Sequence, residues 1–377
     1  MGESRAGVCT FPRLQNQQVH RVTHCQKPHV KESVSKLITQ SEKNLKPPRL
    51  ACFVLDMFCT GMIDVANEFG VPSYIYFTSS AAFLGFQFHM QDLHDKQKVD
   101  LTELTDVDAE FEIPTLMNPL PVKVFPSVML SKDTLPVVLH HVRRFREAKG
   151  IILNTFEELE SHAVKCLCNG ENPSVYPVGP ILNLKGHAQD VRSDGSSSYE
   201  DIMLWLDDQP PSSVVLLCFG SLGSFNDDQV KEIARALEHS GHRFLWSLRK
   251  SPSEGKIDFL VGSRISTTSL SRWILGSNRE NRKEQQFNAF EVVIELGLAV
   301  EIKMDYRREF LIGNEIVLDA KEIERAIKSG MEHDGRKLGR LSEKSREAVM
   351  DGGSSSSSLT HLINDMMIVA AENIFIK

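Results

Sequence analysis

Long apolar runs are missing from this chain. None approaches the roughly 20 residues that a membrane-crossing helix needs, so no such span is expected. The opening MGESRAGVCTF has no apolar core of the kind a secretory signal carries. Ala6 stands where an N-myristoylation motif calls for Ser or Thr. Cysteine is scarce: seven residues, scattered, with Cys166 and Cys168 forming a C-x-C that has no second pair. That pattern suits reduced thiols in the cytoplasm and supplies neither a disulfide framework nor a zinc site. His20, His24 and His29 lie near Cys9 and Cys25, but their spacing fits no standard zinc pattern. Residues 1–30 show no clear period, and an irregular start is expected there. Charge of one sign is missing as well. The 43 Lys and Arg are interspersed with 50 Asp and Glu for a net −7, which argues against a nucleic-acid surface.

What is present is α/β patterning, in a chain with room for two domains and 41% hydrophobic residues to build their cores. Val214 to Phe219 is an unbroken apolar run of strand length, suited to a parallel strand buried on both faces. It ends in the small-residue turn Gly220-Ser221-Leu222-Gly223-Ser224. A helix follows, capped by Asn226 with Gln229 three residues on, close to a capping box. Val230, Ile233, Ala234 and Leu237 give that helix one apolar stripe. Ser240-Gly241-His242 stops it, and Arg243 to Leu248 reads as the next strand. Glycines let a backbone approach a ligand, Ser221 and Ser224 offer hydroxyls, and a helix N-terminus favours an anion. The turn therefore suits a phosphate. Many α/β proteins also place small residues there for steric reasons alone.

The first half repeats the alternation. LACFVL (50–55) reads as a buried strand ending in Asp56, followed by a helix over Met62, Val65, Ala66 and Phe69, then by the strand SYIYF (73–77) and a helix from about Ser80. Asp56 sits at the carboxyl end of its strand, where doubly wound folds place active sites; it could equally cap the following turn. QKPHVKESVSKL (26–37) suggests a helix with Val30, Val34 and Leu37 on one side. Residues 93–135 read as a long loop region and 138–146 as a helix whose Arg143, Arg144 and Arg146 form a solvated face. GIILNTFEELE (150–160) is strand then helix, VYPVGPIL (175–182) a last strand, and GHAQDVRSDGSSS the core of a linker over 183–198. Towards the end, Asp319 to Glu322 resembles a capping box, with Ile323, Ala326 and Ile327 as the buried stripe. Gly352-Gly353 and the serine run read as a bend between two closing helices.

The wording of these stretches is specific. FVLDMFCTGMIDVANEFGVPSYIYFTSSAAFLGF, WLDDQPPSSVV, FGSLGSF, HRFLWSLR and EQQFNAFEVVIELGLAVEIKMDYR strongly resemble plant UDP-dependent glycosyltransferases of family one. The resemblance implies an α/β fold of two facing doubly wound domains, GT-B type. Its expected partition is an acceptor-binding domain over 1–182, a UDP-sugar-binding domain over 199–352, and a final helix over 353–377 packing back on the first domain. It implies transfer of a sugar, such as glucose from UDP-glucose, to a hydroxyl of a flavonoid, phenol or terpenoid. The transfer inverts the anomeric carbon and uses neither metal nor cofactor. Asp56 would orient the catalytic base, Gly220, Ser221 and Ser224 would hold the diphosphate, and Glu284 and Gln285 the sugar hydroxyls. On chemistry alone, Glu284 and Gln285 make a good first helical turn. A cytoplasmic monomer is expected.

Two family features are not found in the sequence. No strand carrying a base histidine in a glycine- and proline-bearing loop precedes Asp56, and His20, His24 and His29 have other neighbours. Residues 260–283, LVGSRISTTSLSRWILGSNRENRK, stand where the family's secondary-product box would hold a uracil-stacking tryptophan and a His-Cys-Gly-Trp-Asn-Ser stretch. Trp273 has the wrong neighbours for that role, and no strand or helix period is evident there. The expectation is an enzyme by descent that is impaired as written, or a non-catalytic remnant that binds a small molecule or a partner.

Overall fold

Ser73–Phe77 illustrates how the fold arises: Tyr74, Ile75 and Phe77 are fully buried, as a strand covered on both faces requires. The computed structural model describes residues 16–41, 50–182, 199–219, 225–248, 264–268, 285–304, 317–333 and 335–372. From the N-terminus run α1 (Asn16–Ser41), β1 (Phe53–Asp56), α2 (Ile63–Glu68), β2 (Ser73–Phe77) and α3 (Ala81–Lys96). Next come the hairpin β3 (Glu110–Phe111) and β4 (Leu120–Pro121), then α4 (Leu135–Phe145), β5 (Gly150–Leu153), α5 (Ser161–Leu167) and β6 (Ser174–Pro177). The rest gives α6 (Tyr199–Asp207), β7 (Val214–Cys218), α7 (Asp227–Ser240), β8 (Arg243–Leu248), β9 (Arg264–Thr268), α8 (Gln285–Phe290), α9 (Ala320–Glu332), α10 (Arg336–Val349) and α11 (Ser354–Glu372). The chain divides into two compact units. One comprises 1–103, 128–181 and 344–377, the other 104–127 and 182–343.

The first unit is built on a parallel sheet in the order β1-β2-β5-β6. All of β5 is buried, but β1, expected to be covered on both faces, is not. It is the sheet's edge among the described residues, and Val54 is 54% exposed while Leu55 is buried. The irregular start expected over 1–30 is also corrected, because α1 begins at Asn16. Its packed side is Lys27, Val30, Val34 and Ile38, with Leu37 turned outward. Lys27–Asp64 and Lys31–Glu68 ion pairs fasten it to α2.

The arginines of α4 do not form a solvated face. Arg143 makes a two-pronged contact with Asp95 at 2.8 and 2.6 Å. Arg144 joins Asp64 and Glu147, and Arg146 bonds Gln91 and Asn172 while lying over the Phe88 ring. Arg143 and Arg144 cross-link α4 to α3 and α2, and Arg146, just past the end of α4, bonds to α3. At the other end, α11 packs on β6. Leu362 joins Tyr74, Ile152 and Tyr176 in one cluster, and the Tyr176 hydroxyl donates to Asp365 at 2.6 Å. The serine run is the start of α11 rather than part of the bend; Gly352, at φ 82°, makes the turn.

The second unit has β7 and β8 parallel and β9 antiparallel to β8, so a strand exists within 260–283 where no period was evident. Its core gathers Val215, Leu217, Ile233, Ala236, Leu237, Trp246, Ile323 and Ile327 from the sheet, α7 and α9. Asn226 caps α7 by accepting the Gln229 N–H at 2.9 Å. The Gln229 side chain does not reciprocate; it bonds both backbone groups of Leu318, so the capping box is not formed. Ala236, not Ala234, completes the buried stripe of α7. Asp319 caps α9 through the Lys321 N–H, and the Ala320 N–H is taken by Glu232.

Candidate functional site

The carboxyl ends of β1 and β2 present the chemistry of the first unit. Asp56 closes β1 and its side chain is exposed. One oxygen accepts the Phe58 N–H at 2.9 Å, and the Asp56 carbonyl accepts the Cys59 N–H at 2.8 Å. So Asp56 does cap its turn. The second carboxylate oxygen meets no hydrogen-bond partner among the described residues, and it remains able to accept a bond from a histidine or a substrate hydroxyl. Cys59 follows in the same turn. Burial first, and the Asp56 charge second, push its thiol up, which removes it as a nucleophile at neutral pH.

Sequence reasoning missed the support of this turn. Thr60, fully buried, lies with its Oγ1 2.8 Å from the Nδ1 of His141 on α4. The Phe58 ring meets the same imidazole edge-on at 6.2 Å. His141 sits among the buried residues of α4, and only its i, i+4 spacing with Phe145 could have marked it. On the neighbouring strand end, the Ser80 Oγ accepts the Phe83 N–H. Glu160, buried, accepts the Ala81 and Ala82 N–H groups at 3.1 and 2.8 Å. Two carboxylate bonds to the first turn of α3 fit the positive end of its dipole and fix the loop beside Asp56.

In the second unit, Phe219 and Phe225 flank the Gly220–Ser224 stretch in sequence and pack edge to face, with ring centroids 4.5 Å apart. Gly220, Ser221 and Ser224 between them lie outside the described residues, as do Glu284, Trp273 and the 183–198 linker. Gln285 opens α8. Asp227 and Asp228 occupy the first turn of α7, and Asn226 takes one of its free N–H groups. Glu295 accepts the N–H groups of Met117 and Asn118, both at 2.8 Å, and the Asn118 side-chain amide at 2.9 Å. These bonds fasten the 104–127 stretch within this unit.

A parallel sheet with an acid at a strand's carboxyl end, and in the same chain a second α/β unit in which a parallel strand pair packs with α7, is the pattern of the GT-B class of α/β fold. Solved structures agree. A UGT transferase from Siraitia grosvenorii in complex with UDP superposes with a TM-score of 0.76 at 36% identity, covering 95% of this chain and 85% of its own. A Medicago truncatula UGT complexed with UDP-glucose gives 0.74 at 31% identity, covering 94% and 84%. No protein-family model matches the chain. Anthocyanidin 3-O-glucosyltransferase 1 of Manihot esculenta is 48% identical over 390 residues, spanning 91% of this chain and 84% of the relative. The chain belongs to the plant family-one UDP-glucose-dependent glycosyltransferases. No helix among the described residues is long and apolar enough to cross a membrane.

Proposed function

We propose that this chain descends to the transfer of glucose from UDP-glucose to a hydroxyl of a flavonoid or similar small phenol, and that it performs the step slowly or not at all. The observation that carries the first half is the 48% identity with a protein named as an anthocyanidin 3-O-glucosyltransferase, together with an acid at the carboxyl end of β1. In this reading residues 1–182 bind the acceptor and 199–352 the donor, with 183–198 joining them and 353–377 returning to the first domain. The protein acts as a cytoplasmic monomer.

Transfer is an inverting displacement at the anomeric carbon without a metal. A base takes the acceptor proton, Asp56 holds that base through its uncommitted oxygen, Gly220, Ser221 and Ser224 steady the departing UDP, and Glu284 and Gln285 hold the sugar.

Impairment rests on two observations. The alignment with the Manihot relative runs over 390 residues, longer than this 377-residue chain, so part of the relative has no counterpart here. The text of 260–283 also lacks the residues that would stack on uracil and grip the diphosphate. A positioned base alone contributes about 10²–10⁴-fold. The test is to express residues 1–377 and supply UDP-glucose with a panel of flavonols and simple phenols, following UDP release and glucoside by mass spectrometry. Turnover comparable with the Manihot enzyme overturns the impairment. Absence of any glucoside, with UDP still bound weakly, favours the second reading, a non-catalytic remnant that binds small molecules or a partner.

A further inference from the structure

The second unit carries an open pocket of about 290 Å³, lined by β7, α8, Val292 and Val293, the segment 298–304, α9 and Leu338 of α10. Val215 and Ile327, members of that unit's buried core, form part of the wall, so the pocket opens into the core itself. Small residues stand where larger ones would fill it: Ala289, Ala299, Ala326 and Gly330. Gly330 lies inside α9, where glycine weakens a helix relative to alanine. A Cβ added there would meet no atom within 4 Å. Its floor is buried side chains, Val215, Ala326 and Ile327, and its rim is partly exposed, so the floor lacks the close contacts of a packed interior. A ligand of matching shape restores them.

The polar members of the wall set the ligand's charge. Glu301, Lys303 and His333 supply one acid, one base and one imidazole, which favour neither sign and suit a neutral molecule with a hydrogen-bonding group. The volume sits at the lower end of the roughly 300–1,000 Å³ typical of small-molecule sites, which indicates one or two fused rings and not a larger scaffold. We propose that this pocket binds a small uncharged aromatic molecule carrying a single polar group, independently of sugar transfer.

The experiment uses the full chain with labelled alanine and isoleucine methyls, titrated with indole and followed by NMR. Saturable shifts and intermolecular NOEs from indole to the methyls of Ala326 and Ile327 are expected. Gly330→Leu projects a good helix-forming side chain into the space and should weaken indole by about tenfold or more. Gly339→Leu, on α10 and also with open space around its Cβ, is not part of the wall and should leave the affinity unchanged. Circular dichroism checks that each variant folds, and Ala326→Met replaces Gly330→Leu if the latter does not. Missing NOEs to those methyls at saturating indole, or equal indole affinity in the filled variant, overturn the proposal.

Discussion

Glu160 offers a sharp test of how the strand ends around Asp56 are held. Its carboxylate is buried and accepts two backbone N–H groups of α3, from Ala81 and Ala82. Glu160→Gln keeps the shape but removes the charge, and its amide can turn only one oxygen towards two donors. One bond falls from the charge-assisted range of about 1.5–3 kcal/mol to about 0.5–1.5 kcal/mol, and the other N–H is left unsatisfied at about 1–3 kcal/mol. The Ser80 cap survives, because it serves the Phe83 N–H. A net loss of about 2–4 kcal/mol follows, or roughly 5–15 °C in Tm for a unit of this size. Thermal unfolding by circular dichroism measures the global loss, and amide exchange at Ala81 and Ala82 reads the local one. A Tm within about 1 °C of the parent, with unchanged exchange at those two amides, would refute the reasoning.

Tyr176→Phe removes the 2.6 Å bond to Asp365 that anchors α11 and should cost about 1.5–3 kcal/mol in urea unfolding, with faster proteolysis of the C-terminal helix. The Arg143 guanidinium holds the Asp95 carboxyl well below the usual carboxylate range, against a smaller opposing effect of burial. A depressed folded-state value stabilises above the unfolded value of about 3.9, and that stability is lost as pH falls through and below it. Tm should thus fall less steeply between pH 6 and pH 3 in Asp95→Asn than in the parent; parallel curves contradict the assignment. Asp56→Ala loses only an exposed cap, roughly 1 kcal/mol or less of stability. If Asp56 orients the base, glucosylation by any active form should drop by far more than that cost explains. A proportionate drop would leave capping as its whole role.

Much of the fold could be read in the residues because local patterns and packing agree. SYIYF and Arg243 to Leu248 are strand-length stretches whose ends coincide with β2 and β8, and Ile323, Ala326 and Ile327 are buried as their spacing demands. The misreadings occurred where a distant partner decides. Arg143 looks solvated until Asp95, on another helix, is placed beside it. Gln229 looks like half of a capping box until Leu318 claims its side chain. Leu37 fits a helical stripe as well as Ile38 does, and only the fold shows that Ile38 is the half-buried one. At the candidate site, the position of Asp56 at a strand end was legible, because it follows from one apolar run. The contact between Thr60 and His141 was not, since 81 residues separate the two.

The way the units draw on the sequence bears on how this protein is made. The first unit needs 1–103, 128–181 and 344–377, so its sheet is covered by a helix translated only after the second unit's residues. Until α11 arrives, the faces of Tyr74, Ile152 and Tyr176 that Leu362 covers stay open to water. Domain-by-domain folding on the ribosome is therefore denied to this half of the protein, and the nascent chain must wait with an apolar surface uncovered. A stop codon just before residue 344 would leave every residue of the second unit in place and strip its cover from the sheet that carries Asp56.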